Sequence, residues 1–287
     1  MTAYRALYRK AVQTLRQAGN PDAAFDVRCL MEQVFGLDRA ALSRCENCTP
    51  DEKNERRFRE LLSQRAAGEP LQYLLGMWGF LDDSFQVGPG VLIPRPETEL
   101  LAQIVLSHME HLSNPIVLDL CAGSGCLGLS IAKQRPDAQV YLLEKSPEAF
   151  PFLRSNAQRI ANGNAHLVLG DLMNGLLGFK IPAPHVIVSN PPYIKSDEIA
   201  VLQREVRREP RMALDGGADG LRFYRALAGR WAPFLRDGGF IAVECGEGQA
   251  EAIQAMFRKE GLHTRAQLDY SGIPRIVEGW RRFGPAV

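Results

Sequence analysis

Apolar residues in the first part of the chain recur at helical spacing. Tyr4, Leu7, Tyr8, Ala11 and Leu15 form one stripe, and Val27, Leu30, Met31 and Val34 repeat at i, i+3, i+4 and i+7, so each set marks the buried face of a helix. Asn20-Pro21 starts the second of these helices. Thr49-Pro50-Asp51-Glu52 reads as a capping box with proline at the first helical position, opening a helix through Phe58, Leu61 and Leu62 whose other face is charged. Residues 1–70 are therefore expected to form a small all-helical domain. Over 71–92 the pattern changes to aromatic and β-branched residues broken by Gly76, Gly79, Gly88 and Gly90, which predicts a hairpin connector. A helix from Glu97 to about His111 follows it.

From Ile116 the pattern changes again. Ile116–Leu120, Val140–Leu143, Leu167–Leu169, Val186–Val188 and Phe240–Val243 are short apolar runs bounded by Gly, Pro, Asp or Asn, and helical stretches at 126–134, 147–160, 220–235 and 248–260 separate them. Such alternation predicts an α/β domain over 93–287, a doubly wound, mostly parallel sheet with helices on both faces. Runs near 263–269 and 275–279, around Ser271-Gly272, predict a closing hairpin.

Composition adds exclusions. Of 287 residues, 46% are hydrophobic and 23% charged, an ordinary balance with ample material for a core. Thirty-four basic residues against 33 acidic ones leave a net charge of +1, without the basic excess of a dedicated nucleic-acid binder. No apolar run approaches the ~18 residues of a membrane span, and no secretory h-region opens the chain. The first acidic residue is Asp22, as in a transit peptide, yet the stretch lacks serine and carries the continuous helical stripe, so it reads as structure. The chain is expected in the cytoplasm. Six cysteines include a C-x-x-C pair, Cys45 and Cys48, but no second pair or His-x-x-x-His completes a zinc set, so free thiols and no metal are expected.

In doubly wound sheets ligands bind beyond the carboxyl ends of the strands. The first strand ends in Asp119-Leu-Cys-Ala-Gly-Ser-Gly-Cys-Leu-Gly, in which Gly123, Gly125 and Gly128 match G-x-G-x-x-G. Asp119, four positions before Gly123, would sit badly beside a dinucleotide pyrophosphate. It suits a cofactor with an ammonium and a sulfonium, which favours S-adenosylmethionine. Glu144 ends the second strand, where a carboxylate can accept ribose hydroxyls. Ser146-Pro147 follows as cap and first helical residue. Asp171 ends the third strand, either as a plain strand-end cap or beside an adenine amine, with Leu172 placed to pack on the ring.

The fourth strand runs into Asn190-Pro191-Pro192-Tyr193. Two prolines commonly just stop a strand. They also fix the turn, so that the Asn190 side-chain oxygen and the Pro191 carbonyl can both accept from one planar –NH2 group, with Tyr193 as a flat wall. An amide or aromatic amine presented to a methyl donor is the chemistry this favours.

With this turn, the Asp-Leu-Cys-Ala-Gly-Ser-Gly loop and Val91-Leu-Ile-Pro-Arg-Pro-Glu-Thr-Glu99, the chain resembles the HemK/PrmC family over nearly its whole length. Pro70-Leu-Gln-Tyr-Leu-Leu-Gly76, Glu209-Pro210, Ala213-Leu214, Gly216-Gly217 and Gly220-Leu221 extend the likeness. The resemblance implies a class I S-adenosylmethionine methyltransferase that modifies N5 of the glutamine in the Gly-Gly-Gln motif of class I peptide-chain release factors, leaving S-adenosylhomocysteine. It implies a helical N-terminal domain that helps bind the release factor. It also implies cofactor contacts from Cys121, Ala122, Gly123, Ser124, Gly125 and Glu144, and a substrate pocket from Asn190, Pro191, Pro192 and Tyr193. Glu144 is more often Asp in this family, and Cys121 often Gly. Arg95 belongs to the family signature and either serves the substrate or braces the connector. A monomer with no stable nucleic acid and no membrane contact is expected.

Two other readings compete. Asn-Pro-Pro-Tyr suits an adenine-N6 methyltransferase equally well, but the balanced charge and compact helical N-terminus offer no basic groove, and Glu205 and Glu209 interrupt the run Arg204, Arg207, Arg208, Arg211. A cofactor-binding scaffold without activity is disfavoured by intact Asp119, Gly123, Gly125, Asn190 and Tyr193.

Overall fold

The computed structural model describes residues 3–45 and 47–282, so the extreme ends of the predicted 1–70 and 93–287 segments lie outside the described residues. The chain divides into two compact units, Met1–Met77 with Gln203–Arg208, and Trp78–Leu202 with Glu209–Val287.

The first unit is helical: α1 (Tyr4–Gln17), α2 (Ala23–Phe35), α3 (Arg39–Arg44), α4 (Glu52–Ala66) and α5 (Leu71–Leu75). The apolar stripes meet as their spacing dictates, with Leu7, Ala11, Leu15, Val27, Leu30, Met31, Phe58 and Leu61 all buried. Tyr4, Phe35 and Phe58 form an aromatic chain with centroid separations of 5.1 and 5.5 Å. The cap of α4 differs from the expected box. Asp51 is the capping residue and accepts from the Asn54 amide at 2.9 Å, because an aspartate one residue after Pro50 competes better than Thr49 for the free N–H groups.

A buried ionic cluster ties this unit together. Arg65 Nε donates to Asp26 Oδ2 at 2.6 Å, and Asn20 Nδ2 donates to the same oxygen at 2.6 Å. The other arm of Arg65 pairs with Glu205, from the returning segment Gln203–Arg208.

The second unit begins with the hairpin β1 (Met77–Phe80) and β2 (Asp83–Gln86), whose first residue belongs to the helical unit. The alternating elements follow: α6 (Pro96–His108), β3 (Ile116–Leu120), α7 (Cys126–Gln134), β4 (Gln139–Glu144), α8 (Phe150–Ile160), β5 (Ala165–Leu169), β6 (Val186–Ser189), α9 (Arg211–Leu214), α10 (Arg222–Ala226), β7 (Phe240–Glu244), α11 (Ala250–Lys259), β8 (His263–Leu268) and β9 (Pro274–Trp280). The seven-stranded sheet has the order β5-β4-β3-β6-β7-β9-β8, parallel through β7, with β9 antiparallel to both neighbours.

Period-2 alternation sends neighbouring side chains into different cores. Val117, Val186, Val188, Phe240 and Ala242 join one cluster with Leu101, Val105 and Leu129 of α6 and α7. Leu118, Ile187, Ile241 and Val243 join the other, with Tyr224, Trp231, Ile253 and Phe257. The helix expected over 220–235 is broken. After α10 it widens into a π-turn over Leu227–Trp231 and tightens over Ala232–Phe234, where Pro233 lacks a backbone donor. Trp231 is thereby turned inward, its Nε1 donating to the Leu172 carbonyl at 2.8 Å.

Replacing Arg65 by Ala would leave the Asp26 carboxylate buried beside Asn20 alone. The expected result is a loss of about 3–5 kcal/mol from the helical unit. Native-state hydrogen exchange at amides of α1, α2 and α4 would measure it. Unchanged protection there would show that the cluster holds nothing together.

Candidate active site

The sheet changes direction at β3: the chain proceeds outward through β4 and β5, then returns to place β6 on the other side of β3. Such a switch point opens a crevice at the carboxyl ends of the two central strands. The pairing register sets Asp119 against Val188, so two residues further on Cys121 and Asn190 leave the sheet side by side. The Ser189 hydroxyl donates to the Leu120 carbonyl and fastens the two exits.

The loop after β3 is held by its own backbone. Ala122 N donates to the Leu143 carbonyl at 3.0 Å, and Gly125 N donates to the Ala122 carbonyl at 2.8 Å. Asn156 Nδ2 donates to the Ser124 carbonyl at 2.9 Å. Gly125 caps α7 at φ 83°, where an added Cβ would lie 2.5 Å from Leu153 Cδ1. Gly128 lets α7 approach β3 so closely that its amide donates to Asp119 Oδ2 at 2.8 Å, and a Cβ there would lie 2.7 Å from that oxygen. Cys121 holds φ 67° without being glycine, a conformation that costs about 1–3 kcal/mol.

Carboxylates gather along this edge. Glu144, at the end of β4, accepts from Gly123 N at 2.8 Å and Ser146 N at 2.6 Å. Ser146 Oγ accepts from the amides of Glu148 and Ala149, but the helix begins only at Phe150, so Pro147 precedes it rather than opening it. Asp171 lies two residues beyond β5, accepts from Met173 N at 2.9 Å and pairs with Lys145 at 2.9 Å. The cap reading of Asp171 is thus realised in its hydrogen bonds.

After β6, Asn190 Nδ2 donates to Thr98 Oγ1 at 3.0 Å. Thr98 in turn donates to Glu244 Oε2 at 2.6 Å, and the Tyr193 hydroxyl approaches Glu244 Oε1 at 3.3 Å. Arg95 pairs with Glu209, whose other oxygen accepts from Ile93 N at 3.0 Å, so this ion pair holds the segment Val91–Arg95 in place.

One cavity of about 500 Å³, of the size that takes a cofactor, lies at this edge within the second unit. Of the residues singled out from the sequence, Arg95, Asp119, Cys121, Ala122, Gly123, Ser124, Glu144, Asp171, Leu172, Asn190 and Pro192 line it. Gly125, Pro191 and Tyr193 do not line it. Sequence reasoning missed the segment 210–213, the pair Arg222 and Phe223, and Thr98, all of which also line it. Glu244 was missed as well, although it ends β7 as Asp119 and Glu144 end or nearly end theirs.

Burial dominates the electrostatics. It pushes the Asp119 carboxyl up to about 7, against the Gly128 amide and aided by the Glu144 charge. Burial also raises Glu144, although the Ser146 and Gly123 amides pull the other way. Glu244 is pushed up to about 7 by burial, with Thr98 opposing. Partial burial tends to raise Asp171, but Lys145 and the Met173 amide win and hold it below the usual range. A cavity lined by the carboxylates of Asp119, Glu144, Glu148, Asp171 and Asp215, and by the apolar side chains of Val91, Ile93, Leu172 and Phe223, suits a ligand that is cationic at one end and flat and apolar at another. S-Adenosylmethionine fits that donor set.

Comparison with known proteins agrees in scope. A family model described as the PrmC N-terminal domain matches residues 6–76, and one described as the methyltransferase small domain matches residues 96–218. The chain is 36% identical to the release factor glutamine methyltransferase of Thermodesulfovibrio yellowstonii, covering 93% of this chain and 97% of that one. It is 39% identical to the release factor glutamine methyltransferase of Geobacter sulfurreducens, covering 92% of each. A solved methyltransferase structure from Pyrococcus furiosus is similar in fold, with a TM-score of 0.51 at 16% identity over 81% of this chain and all of that one.

The Asp119 carboxyl gives a pH test. An unfolded aspartate releases its proton near 3.9, whereas the folded one keeps it to about 7. Between these values unfolding releases a proton, so the free protein should lose stability as pH rises through that window. Asp119→Asn should flatten the slope, read by urea unfolding across the window; identical slopes in both proteins would show that Asp119 keeps an ordinary pKa.

Proposed function

Because the chain belongs to the release factor glutamine methyltransferase family, we propose that its cavity is where a protein glutamine amide is methylated. The protein is an S-adenosylmethionine-dependent protein-(glutamine-N5) methyltransferase, and peptide-chain release factors are its substrates. S-Adenosylmethionine, when bound, supplies the methyl group and is left as S-adenosylhomocysteine. The observation that carries the site reading is that Asn190 and Pro192 line the same cavity as Asp119 and Glu144.

Within this reading Asp119 and Glu144 face the charged and ribose parts of the cofactor, and the loop 121–125 lets the backbone approach it. Asp171 and Leu172 lie toward the adenine. Asn190, Pro191, Pro192 and Tyr193 hold the substrate glutamine, while Arg95 braces the adjoining segment through Glu209. Residues 1–70 bind the release factor, 71–92 connect, and 93–287 catalyse. The enzyme works as a cytoplasmic monomer, without stable nucleic acid. Among the described residues no helix is long and apolar enough to cross a membrane.

An amide nitrogen is a weak nucleophile because its lone pair is shared with the carbonyl. Breaking that conjugation fully would cost about 18–20 kcal/mol, and two hydrogen bonds of ~1 kcal/mol each cannot supply it. The site therefore acts by position and polarisation. Asn190 Oδ1 and the Pro191 carbonyl fix the plane of the substrate –NH2 group, and preorganised geometry of this kind is worth about 7–11 kcal/mol. The same two oxygens stabilise positive charge growing on that nitrogen. Tyr193 keeps its proton, since burial raises its phenol, and serves as a wall rather than a base.

Transfer of label from S-adenosylmethionine to a purified class I release factor, but not to a Gly-Gly-Ala version or to nucleic acid, is expected. Asn190→Ala should lower kcat by about 100-fold or more while cofactor affinity changes little. Label on nucleic acid, or equal labelling of both release factors, would reject the substrate assignment; equal losses of turnover and cofactor binding would reject the role of Asn190.

A further inference from the structure

The hydrogen bonds behind the cavity run in one direction. Thr98 has a single hydroxyl hydrogen, and at 2.6 Å it is committed to Glu244 Oε2. Only lone pairs are left for Asn190, so Asn190 must offer its –NH2 side to Thr98, as it does at 3.0 Å. The opposite face, Oδ1, is then the one available on the cavity wall. Nothing in an isolated asparagine prefers this orientation, because its oxygen and nitrogen ends are nearly equal in shape. Thr98 and Glu244 are 2% and 1% exposed, so water does not compete for these bonds.

We propose that Thr98 and Glu244 are positioning residues for methyl transfer: the Glu244 carboxylate draws the Thr98 hydroxyl hydrogen, and Thr98 thereby fixes the Asn190 amide with its oxygen toward the substrate. This rests on the reading of Asn190 as the holder of the substrate amide. A reversed Asn190 presents two hydrogens to the two hydrogens of the substrate –NH2 group, which repel. Reversal becomes possible when Glu244 takes up a proton, since it can then donate to Thr98 and Thr98 can donate to Asn190 Oδ1. The relay is therefore a polarity setter whose state follows the charge on Glu244.

The surroundings of Glu244 place that charge change within reach. Burial is the largest influence raising its pKa, to about 7, and Glu97 from α6 adds to it, while Thr98, Tyr193 and Arg275 of β9 oppose. Tyr224, Cys126 and Cys245 also feel its field, and burial raises all three, which keeps them neutral. Arg95 and Arg275 act on the neighbouring Tyr193.

The test is single-turnover and steady-state methylation of a release factor by the full chain across the pH range. Thr98→Val keeps shape and β-branching but cannot accept from Asn190; kcat is expected to fall by about tenfold or more, with KM for the release factor and cofactor affinity near wild type. Thr98→Ser restores the hydroxyl and should recover most of the rate. At saturating cofactor the wild-type rate is expected to drop as pH falls through about 7, and Glu244→Gln, which cannot titrate, should show a weaker acid limb, with only the Asp119 contribution left. Should Thr98→Val turn over within twofold of wild type while Asn190→Ala is crippled, the relay is wrong and the substrate site stands. Should Asn190→Ala itself turn over normally, the site reading is what fails. An acid limb unchanged in Glu244→Gln overturns the relay even if Thr98→Val proves unstable.

Discussion

Parallel pairing of β3 with β6 governs where everything else in the catalytic unit can act. A parallel neighbour has to arrive by a crossover, and here the crossover carries the chain through β4 and β5 before it returns. Both central strands consequently point the same ends at one crevice, and the register delivers Cys121 and Asn190 to it together. Local features then sharpen what topology supplies. The Ser189 hydroxyl locks the exits, Gly128 lets α7 sit against Asp119, and the prolines stiffen the turn after Asn190. A one-residue slip of β6 would move Asn190 off the cavity wall and send its neighbours into the opposite core.

Burial of carboxylates is the second constraint. Asp119, Glu144 and Glu244 are all nearly out of water, and in each burial outweighs the hydrogen bonds that favour the ion. The free protein thus carries unfavourable electrostatic energy at the edge of its sheet. A cationic ligand relieves it, which couples ligand binding to stability. Functional sites are where such uncompensated groups tend to survive.

Continuous apolar runs make the sheet readable in the sequence. Ile116–Leu120 has the expected bounds, and Val140–Leu143 grows by one residue at each end to Gln139–Glu144, since a strand buried on both faces carries a strong signal. Local choices were harder. Thr49 and Asp51 both offer caps, and only the three-dimensional start of α4 decides between them. The π-turn after α10 follows from the demand to bury Trp231, which no periodicity shows. At the site, residues next to strand ends were legible because topology makes strand ends special. The pairing of Thr98 with Glu244 is not legible in the sequence, because they lie 146 positions apart and meet only through the packing of α6 on β7.

Segment Gln203–Arg208 belongs to the helical unit although the residues on either side of it belong to the catalytic one. Its Glu205 completes the buried Arg65 cluster. The helical unit is thus encoded in two separated stretches, and the second lies downstream of the Asn-Pro-Pro-Tyr turn. Moving only the first 77 residues into another protein would carry Arg65 without Glu205, its second carboxylate. Transplanting the helical unit whole therefore means carrying both stretches, Met1–Met77 and Gln203–Arg208.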